Sequence, residues 1–556
     1  MTLADEGRPP YAPPMAATPI ERKRSTVLLG AGLLAGLLTG GCGGGVEGPR
    51  VLVVGWDGAG FELLDPLLAQ GRLPHLADLM RRGRTAVLES TRIPISSAAW
   101  TSAMTGVGPG QTGVYGFFEP APEGYDVQLI DSRSNQAPPL WRILSGRGVG
   151  VSVFGVPVTW PPEPVNGVMV SGMLAPHDGG FALPVAYEQD LLARGFVPDL
   201  GVWRSGSLSD AGRVRQQLAI KEAALVEQLE RDDWSCFVTV FKCLDVVSHQ
   251  AWNANPEGPA AQLAIELDRV LGRLLEAVGP EVDVFLVSDH GFRRYPRALD
   301  LEAFLLEGGW TVRGNEAPPA EPIGGPLAEA RPRLHQARLA RLDLPRCRAL
   351  AGDCEGNFGS LRLNLQDREA EGLVPEAERE ATLDALEAQL RALTLDGEPA
   401  VVAVWRGEEL MPGPHRRALP DLVFETVPDL RVLVGDGERL VTPTPRPFPD
   451  HAFEGIAVVA GPSVKPAPSR GRWQIDDVAP TVLHLLEQPL HAEMTGSAHA
   501  EVLAIPRASV RIPRAEDPTL RTRELLEREG ARSANEQREL LQALQAMGYS
   551  GELEEQ

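Results

Sequence analysis

The chain has 556 residues, of which 43% are hydrophobic and 23% are charged. These fractions are those of a folded globular protein, and they exclude a chain that is disordered throughout. The formal net charge of −22, with an isoelectric point near 5.0, argues against a protein that binds nucleic acid polymers or anionic membranes through a basic surface.

The N-terminal segment, residues 1–41, has the layout of a bacterial lipoprotein signal peptide. A positive patch at residues 22–24 precedes a short apolar run at residues 27–39, and small residues then lead to Cys42. The alternative is a transmembrane anchor, but the run is short and rich in glycine for a segment that must cross ~30 Å. We therefore expect export to the cell envelope, a lipid anchor on Cys42 that attaches the protein to the membrane, and a glycine-rich linker over residues 42–49.

Strand patterns alternate with helical patterns over residues 50–500. Apolar runs typical of buried strands lie at residues 50–56, 148–154, 236–241, 282–287 and 455–459. Helical patterns include residues 74–82, 210–230 and 259–278. This alternation predicts an α/β fold with a mostly parallel central sheet and helices on both faces. Residues 308–447 are rich in proline and predict an inserted cap region, and residues 501–556 predict a charged helical tail.

Four cysteines follow Cys42, and an exported protein permits disulfides between them. Cys347 and Cys354 flank a short loop and could pair. Cys236 and Cys243 occupy one strand-like run, and at seven residues apart they would point to opposite faces of a strand, so we do not pair them. The alternative for all four is a free buried thiol.

Aspartate and histidine side chains stand next to the ends of the predicted strands. They are Asp57 after the first run, Asp245 and His249 after the third, Asp289 and His290 after the fourth, and His451 just before the last. Sites in open α/β sheets form at the carboxyl ends of strands, so we expect these side chains to assemble into a metal site. Oxygen and nitrogen ligands without a thiolate suit Zn²⁺ and also Mn²⁺. Each residue alone has an ordinary alternative, such as a helix cap, a turn or a structural histidine.

A serine begins a short helical stretch that Gly106 closes. A hydroxyl at Ser96 would face the free backbone N–H groups and the positive end of this helix, where anions bind. The alternative is that Ser96 or its neighbour Ser97 only caps the helix.

Five motifs stand out when they are taken together. They are V-L-V-V-G-W-D-G (Val51–Gly58), S-S-A-A-W-T-S-A-M-T-G (Ser96–Gly106), D-V-V-S-H (Asp245–His249), S-D-H-G-F (Ser288–Phe292) and D-H-A-F-E-G (Asp450–Gly455). In combination they resemble the alkaline phosphatase superfamily, and within it the type I phosphodiesterase/nucleotide pyrophosphatase group and its bacterial phosphohydrolases. The resemblance implies an alkaline-phosphatase-like catalytic domain over residues 50–500 that hydrolyses phosphoester bonds of a small phosphorylated substrate.

The resemblance also implies two divalent metal ions and a serine nucleophile. The ligands of the ion that activates the nucleophile would be Asp57, Ser96, Asp289 and His290. The ligands of the other ion would be Asp245, His249 and His451. By the same match Ser96 attacks phosphorus and becomes phosphorylated, whereas Ser97 is out of register.

Two departures from related patterns bear on the substrate. Nucleotide pyrophosphatases of this group usually carry Asn three residues after the nucleophile, and the chain has Ala99 there. Sulfatases need Pro and Arg where the chain has Ala98 and Trp100, which disfavours a sulfatase. We therefore expect a phosphoric ester hydrolase that acts on phosphodiesters. The alternatives are a transferase of phosphoryl-linked head groups on the same scaffold and a non-catalytic surface binding protein.

Overall fold

A computed structural model gives the structure of the chain. It describes residues 48–120, 124–198, 211–253, 255–314, 338–416, 418–504 and 508–513. The predicted signal peptide, Cys42 and the tail beyond residue 513 lie outside the described residues. Among the described helices, none combines the length and the apolar character needed to cross a bilayer.

The elements alternate along the chain much as the sequence predicts. The strands are β1 (Val51–Trp56), β2 (Arg84–Glu89), β3 (Phe118–Pro120), β4 (Val127–Leu129), β5 (Val151–Val156), β6 (Gly167–Ser171), β7 (Ala182–Leu183), β8 (Cys236–Phe241), β9 (Asp283–Val287), β10 (Gly291–Asp300), β11 (Ala349–Glu355), β12 (Phe358–Leu363), β13 (Thr394–Leu395), β14 (Glu398–Pro399), β15 (Val401–Arg406), β16 (Leu422–Thr426), β17 (Leu430–Leu433), β18 (Val441–Ala452), β19 (Glu454–Ala460), β20 (Arg470–Gln474), β21 (Leu490–His491) and β22 (Arg511–Ile512). The α-helices are α1 (Phe61–Ala69), α2 (Pro74–Arg82), α3 (Ser96–Thr105), α4 (Pro109–Thr112), α5 (Leu140–Gly146), α6 (Val185–Ala193), α7 (Ala211–Leu229), α8 (Cys243–Ala251), α9 (Pro259–Val278), α10 (Leu301–Glu307), α11 (Arg379–Arg391), α12 (Gly407–Leu410) and α13 (Val478–Leu485).

The central sheet has nine described strands and is mostly parallel, which confirms the predicted fold class. Their spatial order is β20-β2-β19-β9-β1-β8-β5-β6-β7. The central strand β1 pairs in parallel with β8 on one side and with β9 on the other. Only β19 and β7 run against the common direction of this sheet. A strand that is buried on both faces has to be apolar throughout, which explains the unbroken run at β1.

Helices cover both faces of this sheet. Along β1, Leu52 and Val54 pack into one apolar cluster with residues of α1, α2 and α9. Val51 and Val53 pack into a second cluster with residues of α3, α5 and α13. Since successive side chains of a strand point to opposite faces, the two clusters are the two layers of core on either side of the sheet.

The predicted cap region contains an antiparallel sheet with its own core. Its strands follow the order β11-β12-β16-β15, and α11 packs against β15. A third sheet, β17-β10-β18, links this part to the site: β10 leaves the central sheet and β18 returns to it in antiparallel register. The chain therefore re-enters the central sheet through β19 next to the place where it left through β9.

Three local details differ from what the sequence suggested or decide between its alternatives. The strand predicted at residues 148–154 is β5 and begins at Val151, because Gly148 adopts a left-handed φ of 76° in the preceding turn. Cys243 does not share a strand with Cys236, since β8 ends at Phe241 and Cys243 begins α8. All four described cysteines are free, so the pairing considered for Cys347 and Cys354 is absent from the described part of the chain.

Candidate active site

The seven predicted site residues lie together at the carboxyl edge of the central sheet. Asp57 follows β1, Ser96 opens α3, Asp245 and His249 lie one turn apart on α8, Asp289 and His290 join β9 to β10, and His451 lies on β18. His451 comes just before β19, which runs antiparallel to β9. The first residues of β19, and His451 with them, therefore lie beside the carboxyl ends of the parallel strands. None of the seven is more than 9% exposed.

Four of these residues form one cluster, which we call the serine group: Asp57, Ser96, Asp289 and His290. His290 Nε2 lies 3.1 Å from Ser96 Oγ, 3.6 Å from Asp57 Oδ1 and 3.3 Å from Asp289 Oδ2. Ser96 Oγ also lies 3.4 Å from Asp57 Oδ1. Donor atoms around a tetrahedral Zn²⁺ with bonds of about 2.0–2.1 Å are about 3.3 Å apart. These four separations are those of ligands that share an ion, and Asp245 also lies close enough to Asp57 and His290 to share one with them.

The other three residues form a second cluster, which we call the histidine group: Asp245, His249 and His451. His451 Nε2 lies 3.0 Å from His249 Nε2 and 3.2 Å from Asp245 Oδ1, and His249 Nε2 lies 3.5 Å from the same oxygen. The Nε2 atoms of the two histidine rings thus face each other. The spacing again matches ligands that share one ion.

The hydrogen bonds on the far side of the rings fix which nitrogen faces the site. His451 Nδ1 lies 2.7 Å from the Pro94 carbonyl oxygen, and His290 Nδ1 lies 3.1 Å from that of Gly291. A carbonyl only accepts, so Nδ1 donates in both rings and Nε2 of the neutral ring carries a lone pair. Burial lowers the pKa of both imidazoles, that of His290 strongly, which keeps them neutral. Lone pairs that face carboxylate oxygens in this way suit a shared divalent cation.

The buried carboxylates also favour a cation in the site. Burial raises the pKa of Asp57 to about 7, although the Lys242 ammonium acts to lower it. Burial and the nearby Asp57 raise the pKa of Asp289 well above its usual range. Asp289 Oδ2 is also buried without a hydrogen-bond partner among the described residues. The side chains of the site thus supply too little positive charge for their carboxylates, and the donor set fits divalent cations that accept oxygen and nitrogen ligands.

The sequence reasoning missed Lys242, which stands between β8 and α8. Its ammonium lies 2.7 Å from Asp245 Oδ2 and 3.1 Å from Asp57 Oδ1, and it donates to Ser96 Oγ at 3.0 Å. Burial opposes its charge, but Asp245, Asp57 and Asp289 outweigh burial and raise the pKa of Lys242. The signal in the sequence was a lysine three residues before a predicted ligand, at the end of a buried strand.

A tryptophan on α3 holds the carboxylate of Asp57 in place, and the sequence analysis missed this role too. Trp100 Nε1 donates to Asp57 Oδ2 at 2.7 Å. The indole also lies against Gly55 in β1, where an added Cβ would come within 2.5 Å of Trp100 Cη2. A glycine inside a buried strand is the signal for such a close approach.

The two neighbouring serines have different surroundings. Ser96 Oγ faces the serine group, whereas Ser97 Oγ is buried and has no hydrogen-bond partner in the described part of the chain. The residue at the N-cap of α3 is Ile95, and no side chain makes a capping hydrogen bond there. The alternative that Ser96 or Ser97 serves only as an N-cap is therefore wrong.

Asp450, next to His451, is paired with an arginine, although it also lies close enough to His451 and Glu355 to share an ion with them. Arg431 donates to Asp450 Oδ2, and Asp450 Oδ1 accepts from the backbone N–H of His451 at 2.8 Å. Although burial acts to raise the pKa of Asp450, Arg431 holds it below the usual range. Asp450 therefore fixes the backbone that presents His451.

A mostly parallel sheet with buried Asp and His side chains at its carboxyl edge, beside a helix that begins with serine, is the arrangement expected of an alkaline-phosphatase-like enzyme. The family model described as type I phosphodiesterase/nucleotide pyrophosphatase matches residues 51–454, and the chain belongs to this family. It is accordingly a phosphoric ester hydrolase. No curated protein sequence matches the chain.

Solved structures share the fold. Phosphonoacetate hydrolase from Sinorhizobium meliloti, in complex with phosphonoformate, is 18% identical with a TM-score of 0.53, over 79% of this chain and 95% of that one. An inactive variant of murine ectonucleotide pyrophosphatase/phosphodiesterase 5, in complex with AMP, is 15% identical with a TM-score of 0.50, over 82% of this chain and 100% of that one. At these identities the two structures establish the fold.

Proposed function

We propose that the chain is a metal-dependent hydrolase of small phosphoesters, phosphodiesters among them, with Ser96 as the nucleophile. The observation that carries the proposal is the surroundings of Ser96 Oγ, which lies 3.1 Å from His290 Nε2 and 3.4 Å from Asp57 Oδ1 in a buried site. Ser96 also opens a ten-residue helix, whose first backbone N–H groups favour an anion.

We assign one divalent ion to the serine group and one to the histidine group. Zn²⁺ fits the nitrogen and oxygen donors best, and Mn²⁺ is the second candidate. When bound there, such ions lower the pKa of a serine hydroxyl and neutralise charge on phosphoryl oxygens.

The side chains of the chain would position the reaction. Trp100 and Lys242 hold opposite oxygens of Asp57, at 2.7 Å and 3.1 Å, so this carboxylate cannot rotate freely. Attack forms the bond between Ser96 Oγ and phosphorus, breaks the bond from phosphorus to the leaving oxygen, and passes the hydroxyl proton of Ser96 to that oxygen. Water then forms a new bond to phosphorus and breaks the Oγ–P bond, and a proton of the water returns to Ser96 Oγ.

The relatives support a small phosphorylated substrate. The family description names phosphodiesters and nucleotide pyrophosphates, and the two structures with a similar fold hold AMP and a phosphonate. Ala99 stands where nucleotide pyrophosphatases of this group usually carry Asn, so we do not assign nucleotides as the preferred substrate.

A hydrolysis screen tests this proposal. We expect turnover of bis-p-nitrophenyl phosphate or p-nitrophenyl phosphate and none of p-nitrophenyl sulfate. Ser96→Ala should lose about 10³-fold or more in kcat, as loss of a nucleophile does in other hydrolases, whereas Ser97→Ala should keep most activity. Turnover that appears only with an added alcohol acceptor would indicate the transferase instead, and metal binding without any turnover would indicate the binding protein.

We also propose that the protein is exported and anchored to the membrane at the cell envelope through a lipid on Cys42. The support is the order of charged, apolar and small residues before this cysteine. Metabolic labelling with a fatty acid should mark the wild-type protein in the membrane fraction and leave Cys42→Ala unlabelled. Equal labelling of both would refute the anchor.

A further inference from the structure

We propose that Lys242 is a catalytic residue of this site, and that its ammonium extends the accepted substrates to phosphate monoesters, whose phosphoryl group carries two negative charges. The inference rests on the proposed function of Ser96 and adds a substrate class to it.

The first argument is the position of the ammonium. Lys242 has three N–H donors, and three acceptors lie around it: Asp57 Oδ1 at 3.1 Å, Asp245 Oδ2 at 2.7 Å and Ser96 Oγ at 3.0 Å. The side chain is only 5% exposed, so it cannot turn away into solvent. The two carboxylates thus anchor a charge directly beside the oxygen that attacks phosphorus.

The second argument concerns what happens to the donor that points at Ser96 Oγ. When this oxygen becomes bonded to phosphorus, the non-bridging phosphoryl oxygens lie next to it, and one that faces Lys242 comes within hydrogen-bond reach of Nζ. The N–H can then move from Ser96 Oγ to a phosphoryl oxygen while the other two N–H groups keep their carboxylates. A charge-assisted hydrogen bond of this kind is stronger than one between neutral groups.

The third argument is the balance of charge. The site buries the carboxylates of Asp57, Asp245 and Asp289, and the described side chains bring one fixed positive charge, Lys242, to them. With one divalent ion in each group and the Ser96 oxygen uncharged, as a hydroxyl or as a phosphoester, the site carries two surplus positive charges. A dianionic phosphoryl group compensates both charges, whereas the phosphoryl group of a diester compensates one.

The composition of the chain adds a fourth argument. Only four of the 53 Lys and Arg residues are lysines, so a lysine is not the default cation of this sequence. An ammonium is a compact charge that fits between two carboxylates and a hydroxyl, where a planar guanidinium does not. A lysine at position 242 therefore fits the space between the two carboxylates and the Ser96 hydroxyl better than an arginine would.

The test compares substrates with the same leaving group, p-nitrophenyl phosphate and bis-p-nitrophenyl phosphate. Wild type should hydrolyse both, with values of kcat/KM within about a hundredfold of each other. Lys242→Met, of similar length and without charge, should lose about 10²-fold on the monoester, the usual cost of one preorganised donor, and at most about tenfold on the diester. Lys242→Gln, which keeps an N–H but not the charge, should show the same selective loss.

Two further readouts separate this role from a structural one. Inhibition by inorganic phosphate should weaken at least tenfold in Lys242→Met, while the metal content per chain stays at the wild-type value. Lys221→Met is the matched control, because Lys221 Nζ bonds the Val240 carbonyl oxygen next to the site and should affect both substrates equally.

Equal losses on both substrates, loss of metal in Lys242→Met, or unchanged phosphate inhibition would each overturn the proposal. If the variants do not fold, a wild type that hydrolyses the diester more than about 10³ times faster than the monoester overturns it as well. A wild type that hydrolyses neither substrate contradicts the proposed function itself, which is a different result.

Discussion

At the residue scale, neighbours of similar chemistry have different roles because the backbone turns them in different directions. Ser96 faces the carboxylates and histidines while Ser97, the next residue of α3, is buried without a hydrogen-bond partner among the described residues. His451 belongs to the histidine group and contacts His249, while Asp450 pairs with Arg431. Residue type alone therefore does not identify which side chain faces the candidate site.

His451→Ala should lower the metal content of the purified protein by about one ion per chain and slow turnover strongly. The reason is that His451 Nε2 lies 3.0 Å from His249 Nε2 and 3.2 Å from Asp245 Oδ1, so its loss removes one ligand of three. His499→Ala is the control, because His499 stacks on Trp473 and pairs with Asp477 outside the site. Metal analysis that finds the same content in both variants would return His451 to a structural role.

Most of the candidate site could be predicted at this scale, and Lys242 could not. Asp57, Asp289 and His290 follow directly from the ends of buried strands, where the fold leaves little freedom. Lys242 is the N-cap residue of α8, directly after β8, and its ammonium reaches Asp57 from this junction. A single sequence carries no periodicity that marks such a contact.

At the element scale, the site depends on the packing of α3 against β1. Gly55 leaves room for the Trp100 indole, and Trp100 in turn holds Asp57. The same scale adds to the predicted place of His451, which does stand just before the strand predicted at residues 455–459. This residue lies on β18, whose pairing with β10 sets His451 opposite Phe292. That pairing joins segments about 160 residues apart, which local patterns do not reveal.

Gly55→Ala should destabilise the protein by about 1–3 kcal/mol, the usual cost of overpacking a core, and should also slow turnover. The added Cβ would lie 2.5 Å from Trp100 Cη2 and 2.8 Å from Val240 Cγ2, so the indole must move and release Asp57. Gly212→Ala is the matched control, because this exposed glycine of α7 has no neighbour within 4 Å of an added Cβ. Urea unfolding midpoints and kcat measure both effects, and a Gly55→Ala protein that matches Gly212→Ala in both would contradict the packing argument.

At the scale of the whole molecule, the alternation of strands and helices was sufficient to predict the mostly parallel sheet with helices on both faces. The sequence did not reveal the order of the strands or the antiparallel direction of β19, because both depend on contacts between distant segments. The inserted region was recognisable only as a break in the pattern. Its antiparallel sheet follows from pairings across residues 349–426, and these pairings leave a weak local signal.

Removal of divalent metal should lower the melting temperature of the whole protein by several degrees. Without the ions, the buried carboxylates of Asp57 and Asp289 and the converging histidines lose the charge that compensates them. A ligand present at 1,000 times its dissociation constant stabilises the folded state by about 4 kcal/mol. Thermal unfolding with and without a chelator measures the shift, and re-addition of Zn²⁺ or Mn²⁺ should restore it. His451→Ala should show a smaller shift, and a chelator without effect on the wild type would contradict a bound metal.

The central claim is that Ser96 carries the phosphoryl group during turnover, and trapping of the intermediate tests it most directly. The protein is mixed with a slowly hydrolysed phosphoester, quenched in acid and digested, and the phosphopeptide is mapped by mass spectrometry. We predict phosphate on Ser96, its disappearance in Ser96→Ala and its persistence in Ser97→Ala. Phosphate on Ser97 or on any other residue, or full turnover by Ser96→Ala, would contradict the account.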